Sequence, residues 1–335
     1  DGVTVNGNSA TVVLYAPNKQ QVILLGDFND FTPSNEYMMK RDGDYFWTTI
    51  DNLIPNTEVA YQFLVDKTIK CADPYGTKIL DPWNDKWINQ SATIYPNLRE
   101  YPADKATDIL SVFATTPSEY SWSVTDFKRP KQNSLAIYEL LFRDFTPEGT
   151  VKAALAKLDH LKTLGINAIE LMPIQEFDGN LSWGYDPNHW FALDKQYGTR
   201  EQYKEFIDEC HGRGIAVIVD VVYNHATGSH PWAKMWWNSG SNCTADNNPW
   251  FNVVAKHEFN VYHDINHENP LMKEHVKRSL EYLLTEYDVD GFRFDLTKGF
   301  TQTNTGPDIG KWGYYDASRV AVLKDYADYI WSVDD

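Results

Sequence analysis

Cysteine is scarce: Cys71, Cys210 and Cys243 are the only three in 335 residues, and no two form a C-x-x-C pair. An odd count cannot close entirely into internal disulfides, and the three reveal little about redox compartment. Positive charge is short as well, with 30 Lys and Arg against 47 Asp and Glu, a balance of −17. Such a chain repels a phosphate backbone and an anionic membrane surface alike, which argues against nucleic acid as a partner. No apolar run approaches the roughly 18 residues needed to span a bilayer, so no transmembrane segment is expected. No G-x-G-x-x-G or G-x-x-x-x-G-K-[ST] loop is present to support a nucleotide-binding α/β fold. The chain begins at Asp1 with neither Met nor an apolar signal. Together with the acidic balance, this favours a processed extracytoplasmic protein, whether secreted, periplasmic or at the cell surface.

Aromatic residues are plentiful: 12 Trp, 20 Tyr and 16 Phe, many beside Asn, Asp or Gly. That mixture suits carbohydrate, whose apolar ring faces stack on aromatics while its hydroxyls seek polar neighbours. From Thr4 to about Val65 short alternating strands are broken by turn pairs such as Asn6-Gly7 and Asp42-Gly43, which reads as a small β-sandwich. Trp47, inside one of those strands, is expected in the core, while Trp83 and Trp87 are left open as core or sugar platform. After Ser134 apolar strands alternate with amphipathic helices, the grammar of βαβ units and a parallel sheet. Strands are expected at 135–141, 167–172, 215–222 and 289–295. A helix capped by Thr150 runs to Gly165, and others start at Thr199, Leu271 and Ala317. Four units with polar loops after each strand, and a long excursion from Asn224 to Asn269, favour half of an eight-stranded barrel over a doubly wound sheet.

Candidate chemistry gathers where these strands end. In Gly291-Phe292-Arg293-Phe294-Asp295 the period of two puts Arg293 and Asp295 on one face. If that face points inward, the arginine holds the carboxylate ionised and oriented, as a nucleophile requires. An ion pair that merely fixes register is the plainer alternative. The preceding strand ends Asp220-Val221-Val222-Tyr223-Asn224-His225, placing a second polar cluster at the same rim. Asp220 there is a buried partner for arginine, Asn224 a loop cap, and His225 either an ordinary loop histidine or a substrate contact. His263 and His267 have i, i+4 spacing but sit in an Asn- and Asp-rich stretch with no helix to align them, so they read as loop residues.

Together these segments resemble the α-amylase clan, glycoside hydrolase family 13. Asp220 to His225 resembles its first signature and Gly291 to Lys298 its second. Trp183-Gly184-Tyr185-Asp186-Pro187 resembles the segment of pullulanase-, isoamylase- and branching-type members, and Gly26-Asp27-Phe28-Asn29-Asp30-Phe31 the start of carbohydrate-binding module family 48. The resemblance implies a module-48-like sandwich over 1–100, a connection over 101–133, and the N-terminal half of a catalytic (β/α)8 TIM barrel over 134–335, with an insertion at about 226–269.

The resemblance also implies roles. Asp295 becomes the nucleophile and Arg293 its orienting partner. His225 donates to the sugar in the cleavage subsite and Tyr185 stacks on it. Asp186 sits at the rim near Arg293, Lys298 lies on the leaving-group side, and Asp220 supports the rim. Asn224 is a calcium candidate, with Asp246 and Asp264 as possible companions; no organic cofactor is implied. The expected substrate is an α-glucan of starch or glycogen type, hydrolysed with retention. A glucan-branching transferase and a non-catalytic glucan-binding protein stay open as alternatives. The family takes its proton donor from a Glu after the fifth strand, yet no Glu and no His follows Asp295. The expectation is therefore a barrel truncated after its fourth unit, inactive alone and lacking the C-terminal half that would complete it.

Overall fold

Alternation at the start of the chain produces strands with one sealed face. Gly2–Asn6 (β1) precedes Ser9–Tyr15 (β2), in which every second residue, Ala10, Val12 and Leu14, is withdrawn from water. The structure is a computed structural model that describes residues 1–88, 94–116 and 119–334, so Pro117 and Asp335 lie outside the described residues. It divides into two units: residues 1–88, 97–119 and 189–193 form one, and the remainder the other.

The first unit contains two antiparallel sheets. After β2 come Val22–Gly26 (β3), Lys40–Asp42 (β4), Tyr45–Ile50 (β5), Glu58–Val65 (β6), Ile69–Cys71 (β7), Ile79–Leu80 (β8) and Leu110–Ala114 (β9). One sheet runs β1-β2-β5-β4, the other β3-β6-β9-β8 with β7 added beside β6. Ile23, Leu25, Phe31, Ala60, Leu64, Leu80, Leu110 and Val112 share a core cluster. Strand β9 pairs with β6 through Glu58↔Ala114 to Tyr61↔Ser111, so the sandwich draws its last strand from the 101–133 segment expected to be connection. Trp47 does not join the core. In β5 Phe46 takes the buried position, and the alternation turns Trp47 to the other face, where the Lys40 ammonium lies 4.5 Å from its ring centre.

The Gly26-to-Phe31 motif is structural. Asp27 accepts from the Ala60 amide at 2.7 Å and pairs with Arg99 at 2.6 Å, fastening the motif to β6. A side chain at Gly26 would lie 2.8 Å from the Ala60 carbonyl and closer still to the Phe28 ring, so only glycine fits.

In the second unit four parallel strands form one sheet: Ile137–Leu140 (β10), Ala168–Leu171 (β11), Ala216–Val221 (β14) and Gly291–Phe294 (β19), side by side in chain order. Gln175–Phe177 (β12) and Pro187–Leu193 (β13) follow β11 in the chain. Ala168, Ile169, Leu171, Val217, Val219 and Val221 are almost fully buried, as expected of strands covered on both faces.

The first connection begins with Phe142–Phe145 (α1). The helix expected to run unbroken from Thr150 is instead two, Val151–Leu155 (α2) and Leu158–Thr163 (α3), because Lys157 bonds back to Ala154 in a tightened turn. Thr150 does cap α2, accepting from the Ala153 amide. Arg200–Gly212 (α4) opens with Thr199 and Gln202 in a reciprocal capping box. Pro270–Tyr287 (α6) is capped by Asn269 and buries Met272, Val276, Leu280 and Leu283. Ala317–Val333 (α8) is capped by Asp316. Between β14 and α6 the excursion holds His225–Ala226 (β15), Pro231–Met235 (α5), Trp237–Asn238 (β16), Cys243–Thr244 (β17) and His263–Asp264 (β18). Ile309–Gly313 (α7) precedes α8. No helix among the described residues is long and apolar enough to cross a membrane.

Candidate active site

Parallel pairing of β14 with β19 sets Asp220 directly beside Arg293 at the carboxyl end of the sheet. One nitrogen of Arg293, Nη1, donates to both oxygens of Asp220 at 3.0 and 2.9 Å and to Asp295 at 2.8 Å. The period-two reading of this strand is therefore realised: arginine and both carboxylates meet on one face. Asp220 is sealed, with 1% exposure, while the Asp295 side chain keeps 20% and Arg293 44%. Burial pushes the Asp220 carboxyl up to about 6, and hydrogen bonds from Tyr185 and Arg293 hold it from going higher. The two carboxylates in turn hold the Arg293 guanidinium firmly charged.

The Tyr185 hydroxyl donates to Asp220 at 2.7 Å, so its ring is oriented from below by the same carboxylate that orients Arg293. Its neighbour Gly184 has φ +91°, and a side chain there would lie 2.6 Å from the Pro173 carbonyl, which explains glycine at that place in the motif. Asp186 makes no hydrogen bond to Arg293 among the described residues. Its carboxylate accepts instead from the Ser182 hydroxyl, and burial raises its pKa above the ordinary range.

Asn224 spans the rim. Its Nδ2 donates to the Asp295 carbonyl at 3.2 Å and approaches the carboxylate at 3.4 Å, while its Oδ1 meets His225 Nδ1 at 2.6 Å. The other imidazole nitrogen, Nε2, faces the Tyr185 carbonyl at 2.8 Å. Burial lowers the His225 pKa, so the neutral ring donates to one of these two acceptors at a time. Gly299 packs so closely on Asn224 that a side chain would lie 2.8 Å from its Cβ. After Asp295 the backbone turns sharply through Leu296, whose φ of +39° is a strained conformation for a branched residue. Lys298 is exposed, with its ammonium 5.6 Å from the centre of the Trp312 ring.

Two of the three calcium candidates have their side-chain oxygens engaged by neighbouring side chains. The Asn224 oxygen is directed at His225, Asp264 is held by His257 at 3.2 Å and Asn252 at 2.7 Å, and Asp246 is exposed. Among the described residues no three His, Cys, Asp or Glu side chains converge to hold a metal ion.

Several neighbours gave little sign of themselves in the sequence. His267, read as a loop residue, is completely buried, with Nδ1 on the Tyr326 hydroxyl and Nε2 on the Tyr223 carbonyl, both at 2.8 Å. It thereby ties α8 to the residue just before Asn224. His263 lies in β18, whose pairing with β15 sets Asp264 opposite His225. Glu139 and Glu170 stand in register on β10 and β11. Only period-two alternation within each strand hinted at that pair.

Residues 120–260 match the family described as alpha amylase, catalytic domain, and residues 2–83 match carbohydrate-binding module 48, the isoamylase N-terminal domain. The chain is 37% identical over 183 residues to a malto-oligosyltrehalose trehalohydrolase of Arthrobacter ramosus, covering 53% of this chain and 29% of that protein. It is 27% identical over 336 residues to the Saccharolobus solfataricus protein of the same name, covering all of this chain and 48% of the relative. In structure it is similar to a pullulanase from Paenibacillus barengoltzii, with a TM-score of 0.70 at 20% identity over 99% of this chain and 50% of that one. The chain spans about half the length, or less, of these curated relatives. Over residues 120–260 the chain is thus similar to the alpha-amylase catalytic family, and over residues 2–83 to carbohydrate-binding module 48.

Proposed function

We propose that this chain carries the nucleophile half of a retaining α-glucan hydrolase active site, in which Asp295 forms a covalent glycosyl intermediate. The observation that supports this reading is the single Arg293 nitrogen held between Asp220 and Asp295. A carboxylate so fixed, yet partly open to solvent, suits attack on an anomeric carbon. Asp220 is too deeply buried for that task and serves as the anchor. Tyr185 supplies an aromatic face beside it, which suits a sugar ring, while the buried His225 ties the Tyr185 backbone to Asn224.

Retention also needs a proton donor about 5 Å from the nucleophile. On this reading it comes from outside these 335 residues, since no Glu follows Asp295. The sheet β10-β11-β14-β19 is then the first half of a (β/α)8 barrel. An apolar cleft of about 840 Å³ beside β19, lined in part by Phe292, Phe294, Leu323 and Ile330, is where further strands would pack.

An activated donor tests the nucleophile without the missing acid. With α-maltosyl fluoride an Asp295 oxygen bonds to the anomeric carbon as the C–F bond breaks, and fluoride leaves with the electron pair, so no proton is required. Intact mass and peptide mapping should find a maltosyl ester on Asp295. Asp295→Asn should cut its formation by about 10³-fold or more. An adduct on another residue, or none that depends on Asp295, would overturn the assignment.

A further inference from the structure

Tyr262 combines three properties that a plain loop residue does not need together. It is half exposed, at 51%. Its backbone sits at φ +50°, a left-handed conformation that costs a bulky side chain about 1–3 kcal/mol and that Gly or Asn would adopt freely. Its ring centre lies 5.8 Å from that of His225, with the two planes inclined by 33°. The strain is held from both sides: Asn260 Nδ2 donates to the Tyr262 carbonyl at 3.0 Å, and the next two residues pair with His225 and Ala226 as β18 on β15. Trp237 stands edge-on to His263, the next residue, at 5.0 Å. The Tyr262 hydroxyl has no hydrogen-bond partner among the described residues, and the nearby charges of Asp186 and Asp178 add to burial in raising its pKa. The fold therefore spends strain to present a ring and a free hydroxyl beside His225 and Asp186.

We propose that Tyr262 is a substrate-binding platform, stacking on an α-linked glucosyl unit that lies against His225 and offering its hydroxyl to that unit or the next. This rests on the α-glucan reading above and adds a contact from the 226–269 excursion, where the three sequence signatures place none. The stacking face takes the apolar side of a pyranose, and the nearby Asp186 carboxylate accepts from its hydroxyls.

Isothermal titration with maltotetraose and, separately, cellotetraose tests it on the wild type and on Tyr262→Ala, Tyr262→Gly and Tyr262→Phe. Removing the ring should weaken maltotetraose binding about tenfold, while Tyr262→Phe should stay within about threefold. Tyr262→Gly separates binding from folding. Glycine accepts φ +50°, so its melting temperature should hold or rise while affinity falls. Unchanged maltotetraose affinity in Tyr262→Ala, or a Tyr262→Gly melting temperature lower by more than about 4 °C, overturns the platform alone, the latter marking a structural role. A wild type that binds neither sugar, or prefers cellotetraose, overturns the α-glucan reading together with it.

Discussion

Asp73 in the first unit and Asp220 in the second are both buried against a tyrosine hydroxyl, and the two could hardly be put to more different use. In the sandwich, Asp73 is fully buried, accepts from Tyr61 at 2.8 Å and from the Tyr75 amide at 2.8 Å, and pairs with no side-chain cation among the described residues. In the second unit, Asp220 is equally sealed and accepts from Tyr185 at 2.7 Å, but it also holds Arg293. Burial pushes both carboxyls up to about 6. A displaced pKa therefore does not distinguish a site from a strut. What does is the second carboxylate on the far side of the cation: Arg293 also holds Asp295, which is 20% exposed, whereas Asp73 hydrogen-bonds to no side-chain cation among the described residues.

The largest effect expected from this contrast is on stability. Asp73→Ala removes the acceptor of the Tyr61 hydroxyl and of the Tyr75 amide and leaves a void in the sandwich, which should cost about 2–4 kcal/mol in urea unfolding. Asp220→Ala should cost clearly less, because Arg293 is 44% exposed and keeps Asp295 and water as partners. Equal losses would mean that Asp220 is a strut as well. The pH dependence carries a sign. A carboxyl raised in the folded state contributes stability that is fully present below its unfolded pKa of about 4 and is lost as pH rises through about 6. Wild type minus Asp73→Asn should show that loss between pH 4 and 6.

Next in size is the response to the cation. Tyr185 and Arg293 both hold the Asp220 carboxyl down, so Arg293→Met should raise its titration midpoint by about one pH unit, or 1.4 kcal/mol. Carbon-13 spectra of the side-chain carboxyls would report this, and Asp73 should stay where it is. An Asp220 midpoint that stays put or falls would remove Arg293 as the feature that separates the two aspartates.

The same contrast shows how far the sequence could be read. Local rules worked where the information was local: Thr150 and Thr199 cap helices, and the alternation of Arg293 and Asp295 puts them on one face. The parallel arrangement followed from four apolar strands separated by helices. Contacts between distant segments left fainter marks. Tyr185 reaches Asp220 across 35 positions, and the resemblance pointed to the tyrosine without giving that bond. His267 lies in a polar stretch, yet the fold closes over it, because burial is decided by α8 and Phe300 and not by its neighbours in the chain. Tyr262 has no glycine or asparagine to announce its left-handed turn, and a tyrosine there is what no turn rule anticipates.

The smallest effect concerns a carboxylate pair that lacks what Asp220 and Asp295 have. Glu139 and Glu170 are direct neighbours across β10 and β11, and no side-chain cation hydrogen-bonds to either among the described residues. Burial and then the charge of Glu139 raise the Glu170 pKa, while the charge of Arg293 lowers it. With the folded carboxyl raised, its stabilising contribution is present in acid and lost as pH rises. Glu170→Gln should therefore stabilise the protein by about 0.5 kcal/mol near neutrality, with no gain in acid where both carboxyls are protonated. Thermal unfolding at the two pH values measures the difference. A loss of stability near neutrality would show that the pair is bridged after all, as Arg293 bridges Asp220 and Asp295, and that two adjacent strands of one sheet solve like-charge crowding in the same way.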